Sequence, residues 1–203
     1  MSDRKPSPTA LAVLALLYEE PMHPYRMQKL IKERHKDEVI NVKQRASLYQ
    51  AIRRLERDGL IRVREVAAEG NLPDRTIYEL TPEGREAAVL WMREMLSKPV
   101  NEYPRFPAAL AHLPLLSHGE VVQALKARAR SLEKEKSRLE RQMRGEGADL
   151  PRLFLLETEY LLAVIGAEVD WLNGVIRDLE QGAITWSADD LAALAEELSD
   201  RKS

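Results

Sequence analysis

The sequence predicts a mainly α-helical chain with one small β-hairpin, split into an N-terminal domain over residues 1–97 and an all-α domain over residues 98–203. Three observations predict it. Apolar residues recur at helical spacing through most of the chain. Strand-like alternation is confined to two short runs, 60–66 and 76–80. Four prolines, Pro99, Pro104, Pro107 and Pro114, interrupt the pattern over residues 98–116, which reads as a linker with a short helical piece at 106–112. A length of 203 residues suits two modest domains better than one. A hydrophobic content of 44% beside 32% charged residues is enough to build their cores.

Each element has a local reason. Ser7-Pro8 combines a capping hydroxyl with a residue preorganised for the first helical turn, so a first helix runs to about Glu20. His23-Pro24 opens a second helix in which Met27, Leu30, Ile31 and Arg34 fall at 3.6-residue spacing, leaving Lys29, Lys32 and Lys36 outward. An extended stretch, Val39 to Val42, leads to a third helix from Arg45 to Arg57. It buries Leu48, Ile52 and Leu55 and stops at Gly59. The run Leu60 to Val66 and the run Thr76 to Leu80 form a hairpin around the loop Ala68 to Arg75, which holds Gly70, Asn71 and Pro73. Thr81-Pro82 caps a fourth helix to about Leu96, with Leu90, Trp91 and Met95 among its apolar positions. Three helices followed by a hairpin describe a winged helix-turn-helix.

Beyond the linker, a helix from Gly119 to Met143 carries Val121, Leu125, Leu132, Leu139 and Met143 near heptad spacing. The next helix, Pro151 to Glu180, is apolar on two faces. One holds Leu153, Leu156, Tyr160, Val164, Ala167 and Trp171; the other holds Leu161, Ile165, Leu172, Ile176 and Leu179. A helix apolar on two sides needs cover on both, and a second subunit is the natural cover, so a homodimer through the C-terminal helices is expected. Ser187 and Asp190 start a last helix to about Asp200.

Composition narrows the function. Residues 1–64 hold 14 Lys/Arg against 8 Asp/Glu, whereas residues 145–200 hold 2 against 13, a polarity that suits a protein with one end on a polyanion. The absence of Cys excludes disulfides, thiolate metal sites and Cys nucleophiles. The longest apolar run, Ala10 to Tyr18, is too short to span a bilayer, and residues 1–8 lack the order of a signal peptide, so a cytoplasmic location is expected. His23, His35, His112 and His118 show no ligand spacing, and no phosphate loop or nucleophile elbow is present. Neither a metal, nor a cofactor, nor enzymatic activity is expected.

At the third helix, Gln44, Arg45, Ser47, Gln50 and Arg53 offer donors and acceptors for base edges in a major groove, and Lys43 belongs to the same DNA-binding surface. Tyr49 suits a phosphate through its hydroxyl, or else a core position. On the wing, Arg62, Arg64, Asn71 and Arg75 are placed for backbone or minor-groove contact, although any one of them alone reads equally as a surface charge. Trp91, Tyr103, Phe106, Tyr160, Trp171 and Trp186 are aromatics suited either to walling a small-molecule cavity or to ordinary packing. The alternative reading is a helical interaction module whose winged helix binds protein.

The segment Lys43 to Ile61 resembles the recognition helix and first strand of the PadR family of transcriptional regulators. The opening Leu11 to Leu17 with Pro21-Met22-His23-Pro24-Tyr25, the run Arg75 to Gly84 and the paired C-terminal helices agree in order. Pro24 stands where the family usually has Gly. Ala46-Ser47-Leu48-Tyr49-Gln50 replaces the family's Gly-Thr-Leu-Tyr-Pro, which changes the DNA-facing surface. The resemblance implies a dimeric repressor of duplex operator DNA, released by a small hydrophobic or phenolic effector, with Tyr49 on the DNA side.

Overall fold

The computed structural model describes residues 6–41, 45–67 and 75–187. The chain divides into two compact units, Met1–Asn101 and Glu102–Ser203.

In the first unit, α1 (Pro8–Glu19) is capped by the Ser7 side chain and buries Ala10, Ala12, Val13, Leu14, Leu16 and Leu17. A helix apolar on so many sides has to lie at the centre of its unit. Around it stand α2 (Pro24–Glu33), α3 (Arg45–Arg57) and α4 (Pro82–Ser97), which contribute Met27 and Ile31, Leu48, Ile52 and Leu55, and Ala88 and Trp91 to one core. Leu90 of α4 stays exposed. The hairpin pairs β1 (Ile61–Ala67) with β2 (Arg75–Leu80). Residues 68–74, the middle of the expected loop, lie outside the described residues.

Between α2 and α3 the expected extended stretch at 39–42 is not formed over its described part. His35 adopts a left-handed conformation (φ 53°), a single 3-10 turn follows at Lys36–Glu38, and the Val39 and Ile40 amides bond back to the Lys36 carbonyl. β-branched residues without a strand to pair with fold locally instead. Val42 lies outside the described residues.

A tight junction joins α3, β1 and α4. Gly59 turns the chain with φ 71°, and the Thr81 hydroxyl lies 2.8 and 2.9 Å from the Gly59 and Leu60 carbonyls while accepting the Gly84 amide. A Cβ on Gly84 would fall 1.9 Å from the Leu60 carbonyl oxygen. Only glycine allows that approach. The chain between α1 and α2 also joins the sheet: Met22 and Tyr78 exchange both backbone hydrogen bonds at 3.1 Å.

In the second unit, α5 (Arg105–Leu110) and a 3-10 turn at Leu113–Leu115 precede α6 (His118–Arg144), which starts with a Ser117/Glu120 capping box. A further 3-10 turn, Arg152–Phe154, leads to α7 (Leu156–Glu180), so this helix begins five residues later than expected from Pro151. No side chain caps either start, which leaves that boundary weakly specified. Helices α6 and α7 pack Val121, Val122, Leu125 and Ala129 against Leu172, Ile176 and Leu179. The other face of α7 is uncovered: Leu156, Tyr160, Val164, Ala167 and Trp171 are exposed, together with Leu153 and Phe154 before it. The expected last helix lies outside the described residues. Among the described residues no helix is long and apolar enough to cross a membrane.

Two tests follow from these contacts. Gly84→Ala should cost about 1–3 kcal/mol through overpacking and lower the melting midpoint of the first unit by at least roughly 4 °C in circular dichroism; an unchanged midpoint would show that the close approach is dispensable. The Glu19 carboxylate takes a bidentate pair from Arg34 (2.6 and 2.8 Å). These hydrogen bonds, and to a lesser degree the charge, hold its pKa below the ordinary value against the opposing effect of burial. The stabilisation is therefore complete above the usual carboxylate range, near pH 4.3, and is lost as pH falls through the lower folded-state value. Both side chains are about half exposed, so Glu19→Gln should cost at most about 1 kcal/mol at pH 7. The two proteins should converge in urea titrations on acidification; a gap that persists at low pH would assign the effect elsewhere.

Candidate nucleic-acid interface

Helix α3 sets the geometry of the site. Leu48, Ala51, Ile52 and Leu55 are buried, and at 100° per residue the opposite direction belongs to Ala46, Gln50, Arg53 and Arg57, all exposed. One flank of that outward face carries Tyr49 and Glu56, and the other carries Ser47 and Arg54. The first flank meets the hairpin. Burial pushes the Tyr78 hydroxyl of β2 above its ordinary pKa, Glu56 and Tyr49 add to this, and Arg53 opposes it. Tyr49 itself is half exposed, which favours the surface reading over a core one. On the second flank, the Ser47 hydroxyl donates to the Asn41 carbonyl at 3.1 Å, and Arg54 donates to the Ser7 hydroxyl at 2.9 Å.

The wing arginines divide. Arg62 and Glu79 are cross-strand partners, and the Arg62 guanidinium bonds the Glu79 carboxylate at 2.7 Å, so its charge is compensated within the hairpin. Arg64 is skipped where the register shifts between Val63 and Glu65, the signature of a bulge, and it is exposed. Bulges re-aim the residue they insert. The alternation seen in sequence gave no sign of it. Arg45 opens α3 and Arg75 opens β2, but their side chains, like all of Lys43, Gln44 and Asn71, lie outside the described residues. Within the described part, then, Gln50, Arg53 and Tyr49 share one exposed surface of α3, and Ser47 and Arg62 are engaged by other groups.

The aromatic set does not form one cluster. Trp91 is 4% exposed within the core of the first unit, while Tyr103 and Tyr160 are 82% and 69% exposed. Phe106 and Trp171 do meet, edge to face, with ring centres 6.1 Å apart. Arg128 lies 3.8 Å over the Phe106 ring and is paired to Glu168. Sequence reasoning missed Arg128, because on a long helix rich in Arg, Lys and Glu nothing separates it from a solvated charge. Trp186 packs instead against His118 and donates its indole N–H to the Leu116 carbonyl.

The sequence profile of the transcriptional regulator PadR-like family matches residues 13–89. No curated protein has a matching sequence. Among solved structures, Bacillus subtilis PadR in complex with operator DNA superposes with a TM-score of 0.69 at 18% identity, covering 86% of this chain and 99% of that one. The same protein in complex with p-coumaric acid gives 0.66 at 17% identity over 86% and 99% of the two chains. The Vibrio cholerae virulence activator AphA gives 0.60 at 17% identity over 85% and 98%. These likenesses extend the shared fold beyond the matched segment to both units, and within the first unit residues 13–89 match the transcriptional regulator PadR-like family.

Proposed function

We propose that the protein is a cytoplasmic, homodimeric repressor that reads duplex operator DNA with α3 and the hairpin and is released by a small hydrophobic or phenolic effector. The observation that carries this reading is the outward face of α3, where Gln50, Arg53 and Arg57 stand exposed, with Arg64 exposed on the β1 strand that follows. A helix of 13 residues with amide and guanidinium groups on one face has the size and the donors for a major groove. Lys43, Gln44, Arg45, Asn71 and Arg75 extend this surface on the sequence reading. The operator complex of the structurally similar Bacillus subtilis PadR supports it.

The uncovered stripe Leu156, Tyr160, Val164, Trp171 on α7 supports dimerisation, since an apolar stripe of that length calls for a partner surface. For the effector, the Phe106–Trp171 pair offers aromatic surface, and Arg128, which lies over Phe106 and pairs with Glu168, would exchange that carboxylate for the one on a phenolic acid. The p-coumaric acid complex of the same similar protein favours that chemistry. The sequence also suggests Trp91, Tyr103 and Tyr160; Trp91 is buried in the core of the first unit, and Tyr103 and Tyr160 are exposed.

Sites selected from a random duplex pool give the operator, and a salt titration against operator and scrambled duplex tests the surface. Arg53→Ala should cost on the order of 1–3 kcal/mol at the operator and relax discrimination at one base position per half-site. Arg64→Ala should weaken both duplexes alike and make log affinity against log salt shallower by about 0.9. Binding by both variants at full strength would refute this surface and favour a protein-interaction role. Val164→Glu should convert the dimer to a monomer in sedimentation velocity and weaken operator binding by at least about 100-fold, through loss of linked half-sites. A dimer that survives this change would place the subunit interface elsewhere.

A further inference from the structure

We propose that Arg54 is a positioning residue that sets the orientation of α3 on DNA by hydrogen-bonding the Ser7 hydroxyl, without touching DNA itself. The proposal rests on the DNA-binding reading above. The Ser7 oxygen serves two elements at once: it accepts the Ala10 amide at 3.3 Å, capping α1, and it accepts the Arg54 guanidinium at 2.9 Å. The Ser7 carbonyl accepts the Leu11 amide as well, so the residue is held on its backbone side too. Both Ser7 and Arg54 are partly buried, whereas the neighbouring Arg53 is exposed. One step along the helix is a turn of about 100°, which takes the guanidinium of Arg54 off the outward face and onto the flank toward Ser7.

The need for such a link follows from the core. Contacts of Leu48, Ile52 and Leu55 fix which face of α3 is buried, but they are non-directional and leave the fine adjustment of its roll and slide to directional bonds. Base-edge hydrogen bonds from Gln50 or Arg53 tolerate only a few tenths of an ångström. A directional bond from Arg54 to the first turn of the central helix supplies the missing restraint.

The test uses full-length protein with variants at both residues, binding the selected operator and a scrambled duplex across a salt series. Ser7→Ala carries no charge change, so it should weaken operator binding about 5- to 10-fold, leave the scrambled duplex within about twofold, and keep the salt slope. Ser7→Thr, which retains the hydroxyl, should bind like wild type. Arg54→Met should reduce the ratio of operator to scrambled affinity by a similar factor, and the Ser7→Ala/Arg54→Met double variant should reduce it no further. Arg54→Met leaves the α1 cap intact and carries the test if Ser7→Ala proves too unstable. Equal losses on both duplexes with a salt slope shallower by about 0.9, independent of residue 7, would make Arg54 a direct phosphate contact and overturn the proposal alone. An operator ratio unchanged in all variants would overturn it as well. A wild-type protein that does not distinguish the duplexes would instead bring down the functional reading, and this inference with it.

Discussion

The rotation of α3 about its own axis is the constraint on which the rest of the N-terminal unit depends. Burying a leucine or isoleucine contributes about 1.5–3 kcal/mol, and Leu48, Ile52 and Leu55 are all fully buried against the central α1. The ion pairs nearby, Arg26 with Glu20 and Lys29 with Glu33, are exposed on both sides, where such pairs are worth about 0–1 kcal/mol. Apolar burial therefore decides which residues of α3 face outward, and the ion pairs only trim the periphery. Ala46, Gln50, Arg53 and Arg57 are outside because three aliphatic residues have to be inside. The junction at Gly59, Thr81 and Gly84 then places β1 directly after the helix, so the hairpin is launched from a fixed point.

Helix starts were legible because capping is local. Ser7-Pro8, His23-Pro24 and Thr81-Pro82 each place an acceptor next to a residue preset for the first turn, and all three cap as that logic requires, His23 through its ring nitrogen. The hairpin and the two apolar faces of α7 were legible for a similar reason, since both are periodicities. What escaped depends on partners distant in sequence. Nothing near Arg62 signals that Glu79 lies across the ladder and takes up its charge, and nothing near Met22 signals a bridge to Tyr78. Nothing in the run Arg53-Arg54 sets the second arginine apart from the first, yet its hydrogen bond is to Ser7, at the start of another element. Arg128 is the same case in the second unit, one of many charges on α6 until Phe106 is seen beneath it.

The wing shows how charge is apportioned rather than accumulated. A hairpin with several unpaired arginines would attract any polyanion, and affinity without discrimination works against a protein that must find one site among many. Glu79 lowers that background by compensating Arg62, while the register shift leaves Arg64 exposed. Selectivity in the proposed function then rests on the few groups of α3 that face outward, and a few groups on one short helix supply limited affinity.

The second unit answers that limit in its own chemistry. Helix α7 satisfies one apolar face within the unit through Leu172, Ile176 and Leu179, and keeps the other bare through Tyr160, Val164 and Trp171. Leaving such a stripe in water is costly, and in the proposed dimer a second chain covers it. In that proposed dimer the covered stripe would link two copies of α3, and the second half-site would bind at the effective concentration set by that link, commonly in the millimolar range, rather than from bulk solution. Modest recognition by one helix would thereby become tight recognition by two without any added base contact. Because the linkage is apolar and lies in a different unit from the charged face of α3, a small aromatic ligand near Phe106 and Trp171 would act on the pairing of the two readers and leave the reading surface itself untouched.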